Sequence, residues 1–123
     1  MKICICGRRA TELHHIVFRS QNKPLENCKF NHIDLCQECH RGTRGVHGSK
    51  GHKLDIKLKL NFQNKLNEVF KNEELTKEEI RTILDVNRNA VDRLLKGVKV
   101  NGDKYIKEDV IRACMAGRLI LNE

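Results

Sequence analysis

Apolar and polar positions alternate in two short stretches near the N-terminus and then adopt helical spacing over most of the remaining chain. Leu13-His14-His15-Ile16-Val17-Phe18 is short and rich in β-branched residues, and Asn31-His32-Ile33-Asp34-Leu35 alternates polar with apolar. Both predict half-buried strands. Between them, Arg19 to Lys29 carries Asn22, Pro24 and Asn27, turn chemistry that predicts an irregular loop. A helix is expected to start near Gln37 and to end at the glycines Gly42, Gly45, Gly48 and Gly51.

Leu54, Ile56, Leu58, Leu60 and Phe62 alternate as in a strand, yet Leu54, Leu58, Phe62, Leu66, Val69 and Phe70 also follow an i, i+4 rule. A stretch this long without Gly or Pro exceeds an ordinary strand, so a helix is expected. Lys71-Asn72-Glu73-Glu74 reads as a polar break. Thr76-Lys-Glu-Glu79 has capping-box spacing and opens a helix with Ile80, Ile83 and Leu84 on its apolar face. Asp85-Val86-Asn87 makes a turn, and Ala90, Val91, Leu94 and Leu95 form a second apolar face, giving helix, turn and helix. Asn101-Gly102 predicts a hairpin within Val98–Tyr105, and helical spacing returns from Glu108 to Met115. No internal repeat or low-complexity segment interrupts this order.

With 123 residues, 4% aromatics and no tryptophan, a large core is not expected, and chains of this size often need a metal or another staple. Six cysteines could supply it. No signal-peptide pattern opens the chain and no apolar run reaches membrane-spanning length, so a cytoplasmic protein without membrane contact is expected. In that setting paired cysteines point to metal rather than disulfides. The net charge of +8 is unevenly spread. Residues 1–71 hold 14 Lys/Arg against 6 Asp/Glu, whereas residues 72–123 hold 10 against 10. Attraction for a polyanion therefore belongs to the half that carries most cysteines and histidines.

Cys4-x-Cys6 and Cys36-x-x-Cys39 are the expected ligands of a structural zinc ion, since zinc takes four soft ligands in a tetrahedron. Cys28 could replace one of them, and Cys114 is expected as a buried thiol on an apolar helical face. His14, His15, His40 and His47 lie on segments that such a site would draw together. Strand alternation turns His14 and His15 to opposite faces, so one can bind metal while the other meets substrate.

Cys-x-Cys-Gly, the Leu13-His14-His15-Ile16 doublet, Asn31 five residues before Cys36, and Cys36-x-x-Cys39-His40 together resemble the HNH endonucleases of the cysteine-stapled ββα-metal subgroup. Gly45-Val46-His47-Gly48 before a Lys/Leu-rich stretch is similar to small HNH proteins of phages and prophages, which implies a bacterial or phage-infected host cell. The resemblance covers residues 4 to about 66. It implies that His14 and His40 bind a catalytic divalent metal (Mg²⁺, Mn²⁺ or Zn²⁺) and that His15 is the general base. It also implies that Asn31 fixes the loop between the strands and orients His15 by a hydrogen bond. Arg44 stands where many members carry a further ligand, and His47 is expected in its place.

Phosphodiester hydrolysis needs an activated water and neutralisation of charge at phosphorus, and a neutral imidazole suits the first task at cellular pH. Arg8, Arg9, Arg19, Arg41 and Arg44 flank the cluster and could hold phosphates. The C-terminal half is similar, by pattern more than by motif, to excisionase-type winged helices. On that likeness Arg88, Asn89, Arg93 and Lys96 would face DNA, with a cap on the nuclease or a homodimer contact as the alternative. The expected fold is thus α+β: a zinc-stapled ββα-metal (HNH) domain over residues 1–71 and a helix-turn-helix, winged-helix-like domain over 72–123. The expected function is metal-dependent endonuclease action on double-stranded DNA. The alternatives are a non-catalytic zinc-dependent DNA-binding or recombination accessory protein, and a nuclease for RNA.

Overall fold

The computed structural model describes residues 2–121. Among the described residues, two small antiparallel sheets and five α-helices make a mixed α+β fold. Strand β1 (Glu12–His15) pairs with β2 (His32–Leu35), with Glu12 opposite Leu35 and His15 opposite His32. The first strand is shorter than its β-branched run predicts. After His15 the ladder is replaced by contacts to Asn31, whose carbonyl accepts from Ile16 N at 2.8 Å and whose side-chain Oδ1 accepts from Val17 N at 2.7 Å. Asn31 itself closes a 3₁₀ turn (Lys29–Asn31) instead of starting the second strand. A further 3₁₀ turn, Lys23–Leu25, carries Pro24 in its first turn, where the missing N–H costs nothing.

Helix α1 (Gln37–Arg41) follows β2 directly, with Cys36 as its N-cap. Helix α2 (His52–Val69) takes the helical alternative of the ambiguous segment. It buries Leu58, Phe62 and Leu66, spaced four residues apart. Each such side chain removed from water contributes about 1.5–3 kcal/mol. The alternating pattern does not prevail over this length, because eighteen residues exceed an ordinary strand and the three side chains form one row on a helix.

The stretch read as a polar break ends in strand β3 (Glu74–Thr76). Its strand character comes from pairing with a distant partner, Leu75 opposite Tyr105, and not from local composition. Helix α3 (Lys77–Leu84) starts at the Thr76 capping box, in which Thr76 Oγ1 accepts from Glu79 N and Glu79 Oε1 accepts from Thr76 N. Asp85, in the left-handed region at φ 53°, turns the chain into helix α4 (Arg88–Leu94), capped by Asn87. Strands β4 (Val100–Asn101) and β5 (Lys104–Ile106) form the hairpin, with Gly102 at φ 65° in its turn. The second sheet has the order β3-β5-β4, and helix α5 (Lys107–Cys114) follows.

Side chains from both halves share one apolar cluster, including Val17 and Leu25 from the N-terminal part and Val91 and Val110 from the C-terminal part. Helix α4 lies against the Lys23–Leu25 turn, and α2 lies against α5. Asn22 Nδ2 donates to the carbonyls of Ala113 and Cys114, both at 3.0 Å, tying the loop after β1 to the end of α5. Gln63 clasps the backbone of Ile120 by two hydrogen bonds of 2.8 Å. Among the described residues no helix is long and apolar enough to cross a membrane.

Candidate functional site

Cys4, Cys6, Cys36 and Cys39 bring their sulfurs within 4.8 Å of one another. The Cys6 and Cys36 sulfurs are 3.6 Å apart. Zinc–sulfur bonds of about 2.3 Å in a tetrahedron set sulfurs roughly 3.8 Å apart, so the close grouping of the four sulfurs is compatible with a structural zinc ion. The tight Cys4-x-Cys6 spacing works because a turn closes on itself there: Cys4 N donates to Arg8 O at 2.8 Å and Gly7 N to Cys4 O at 2.9 Å. Gly7, at φ 91°, supplies the left-handed residue which that turn requires. Cys36 Sγ accepts from Cys39 N at 3.4 Å. Burial pushes the Cys4 thiol up, but hydrogen bonds from the Cys6 and Cys36 backbone and from the Cys6 and Cys39 thiols together outweigh this and lower it to about 7. Cys28 takes no part: it is fully buried in the apolar core near Cys114, and burial raises both thiols.

On the other side of α1, His14, His40 and His47 also bring their ring nitrogens within 4.8 Å. Their ring centroids are 4.8–5.1 Å apart. His47 returns to this point because the loop after α1 coils back, with Val46 N donating to Cys39 O and His47 N to His40 O. The coil needs glycine at 48 and 51, where a Cβ would strike the carbonyls of Gly42 and Gly45. His14 Nε2 is buried with no partner among protein atoms. Burial, and then His40 and His47, lower the His14 pKa to about 3, so its ring is neutral at physiological pH. An orphaned nitrogen of a neutral ring facing two further imidazoles fits a divalent cation, and three nitrogen donors fit zinc-like ions better than magnesium.

Glu12, which sequence reasoning missed, organises this cluster. Its Oε1 accepts from His40 Nδ1 at 2.7 Å, and Arg41 donates to both its oxygens. The hydrogen bond to His40, then Arg41, keeps the Glu12 carboxyl below its ordinary value. With Nδ1 donating, His40 offers Nε2 to the cluster. The signal was present: Glu12 and His14 are two apart on one strand and so share a face. Phe18 closes the far side, 4.9 Å from the His47 ring centroid, with Lys59 Nζ 4.5 Å above it and bound to Asp55 at 3.1 Å.

His15, on the opposite face of β1, is half-buried. Its Nε2 lies 2.9 Å from the Glu26 carbonyl. The expectation that Asn31 orients His15 is therefore corrected. Asn31 is fully buried and its amide bonds Val17 N, Val17 O and Leu25 O, so it pins the loop while a backbone carbonyl holds the histidine. Burial lowers the His15 pKa, with His32 and Arg19 adding to the effect against the Glu26 carbonyl.

His14, His15, His40 and His47 line one groove of about 560 Å³ together with Phe18, Arg19 and Ser20. Arg8, Arg9 and Arg41 line another of about 690 Å³ on the zinc-cage side. Arg41 is committed to Glu12 by an ion pair. Arg44 is exposed and lines neither groove. Arg88, Asn89, Arg93 and Lys96 are exposed on and just after α4. Comparison of the chain with protein-family models, with curated proteins and with solved structures gives no match.

Proposed function

We propose that this protein is an HNH-type, metal-dependent endonuclease that hydrolyses phosphodiester bonds of double-stranded DNA. The observation that carries the reading is the convergence of His14, His40 and His47, with His15 beside them in one groove at a β1-β2-α1 unit. A carbonyl oxygen can only accept, so His15 Nε2 carries the ring proton and Nδ1 holds the free lone pair. Nδ1 is the atom that takes the proton from the attacking water. His14, His40 and His47 would hold a divalent ion, and what that ion supplies when bound is positive charge at the phosphate and at the departing oxygen. Arg19, at the rim of the groove, holds the scissile strand's phosphates.

The four cysteines would hold a structural zinc that fixes α1, and with it His40, relative to β1. The helix-turn-helix and hairpin of the C-terminal half form a winged-helix-like module in this reading, with Arg88 and Arg93 contacting DNA from α4. The test is incubation of supercoiled plasmid with the full chain and Mg²⁺, Mn²⁺ or Zn²⁺, beside His15→Ala. Wild type should nick and the variant should lose about 10²–10⁴-fold, the usual contribution of a general base. Equal nicking by both proteins, or by neither, sinks the assignment. DNA binding without nicking by either would favour an accessory binding protein.

A further inference from the structure

The register of the first sheet sets His32 directly opposite His15. Their rings meet edge to face, with centroids 4.9 Å apart. Both Nε2 atoms converge on one acceptor, the Glu26 carbonyl oxygen, which is 2.9 Å from His15 and 2.7 Å from His32. Because that oxygen has two lone pairs and no proton, both rings must carry a proton on Nε2 to bond it. The carbonyl belongs to a loop fixed on either side: before it Glu26 N donates to Lys23 O at 3.0 Å, and after it Cys28 N donates to Leu25 O at 3.1 Å.

We propose that His32 is the positioning residue for His15, bracing its ring and saturating the carbonyl that holds it. The inference deepens the nuclease reading, and its kinetic arm rests on that reading. A ring held by one neutral hydrogen bond keeps its orientation over the flipped one by a factor of only about five. A flip about Cβ–Cγ exchanges Nε2 with Cε1 and Nδ1 with Cδ2, so the flipped ring sets a C–H against Glu26 and turns the basic nitrogen away. His32 packs nearly perpendicular against the His15 ring, with centroids 4.9 Å apart, so a flip of His15 must pass this neighbour. Its own N–H aligns the shared carbonyl, so the second lone pair stays aimed at His15. His32 is outside the groove that contains His15, which keeps it behind the base and off the reacting atoms.

The first test does not depend on activity. Long-range ¹H–¹⁵N spectra of the zinc-loaded full chain should show His15 and His32 as Nε2–H tautomers, and His32→Ala should turn the His15 signals into a flip- or tautomer-averaged set. The second test is the nicking assay. His32→Ala should lower kcat by up to about twofold with KM and metal content unchanged, because the productive and flipped rings approach equal population once the shared carbonyl is no longer aligned. His32→Gln, whose amide can donate to the same carbonyl, should recover most of it. In a His15→Ala background, His32→Ala should add nothing. Unchanged His15 signals in both His32 variants, or an undiminished penalty in the double variant, overturns the inference. If the wild type does not nick, the nuclease reading fails and the spectra still decide the role of His32. If His32→Ala does not fold, His32→Gln and His32→Phe separate the donor from the ring in both readouts.

Discussion

Replacing Asn31 by alanine separates two roles that an asparagine between these strands could have. Asn31 is fully buried and makes three hydrogen bonds. Without its amide, Val17 N–H and Val17 C=O lose their partners, whereas Leu25 C=O keeps the 3.1 Å bond from Cys28 N. Each buried group left unpaired costs about 1–3 kcal/mol, so Asn31→Ala should destabilise by roughly 2–6 kcal/mol. That is a large share of the 5–15 kcal/mol that holds a typical domain, on the order of half for a small one. With a urea slope of about 2 kcal/mol/M, a loss near the middle of that range moves the unfolding midpoint down by roughly 2 M. The assay is urea unfolding followed by circular dichroism with zinc present throughout. Asn31→Asp should be about as damaging, because it keeps an acceptor for Val17 N–H but turns its second oxygen towards two carbonyls. A midpoint within about 0.3 M of wild type, together with lost nicking, would refute the loop-pin role and return Asn31 to the chemistry.

Three further outcomes are expected. Metal analysis of the purified chain should find about one tightly held zinc from the four-cysteine cage, and Cys39→Ser should lose it along with the cooperative melting of the N-terminal half. Glu12→Gln should leave the fold intact but weaken divalent-metal binding at the histidine cluster about 10–100-fold, measured by calorimetric titration, because His40 loses the carboxylate that fixes its tautomer. Arg93→Ala should weaken binding to duplex DNA uniformly across sequences and reduce the salt-dependence slope by about one, whereas an unchanged slope would point to a capping role for α4.

The ambiguous segment from Leu54 was decided by length and by the i, i+4 row that α2 buries, and both are written in the chain. The Thr76 capping box, the turn at Asp85 and the Gly102 hairpin are equally local, which is why they were legible. Strand β3 was not, since a three-residue strand exists only through its partner. The ligand types were also legible: four cysteines in two close pairs and histidines flanking them. Their division into a sulfur cage and an imidazole cluster on either side of α1 follows from Cys39 and His40 being neighbours on a helix, where successive side chains diverge by about 100°.

What only the tertiary structure decided is which atom each residue meets. The acceptor that holds His15 is a backbone carbonyl, and every residue has one, so no side-chain pattern could single out Glu26. His32 faces His15 through strand register alone, and a one-residue slip would have turned it to the other side of the sheet. The coil that returns His47 to His40 needs glycine wherever backbone meets backbone, and the glycines were visible, but the path they permit was set by closure of the whole fold. Composition and periodicity determined the chemistry on offer. The packing of loop, strand and helix determined where each lone pair points, because burial fixes a ring's orientation only once the groups around it are in place.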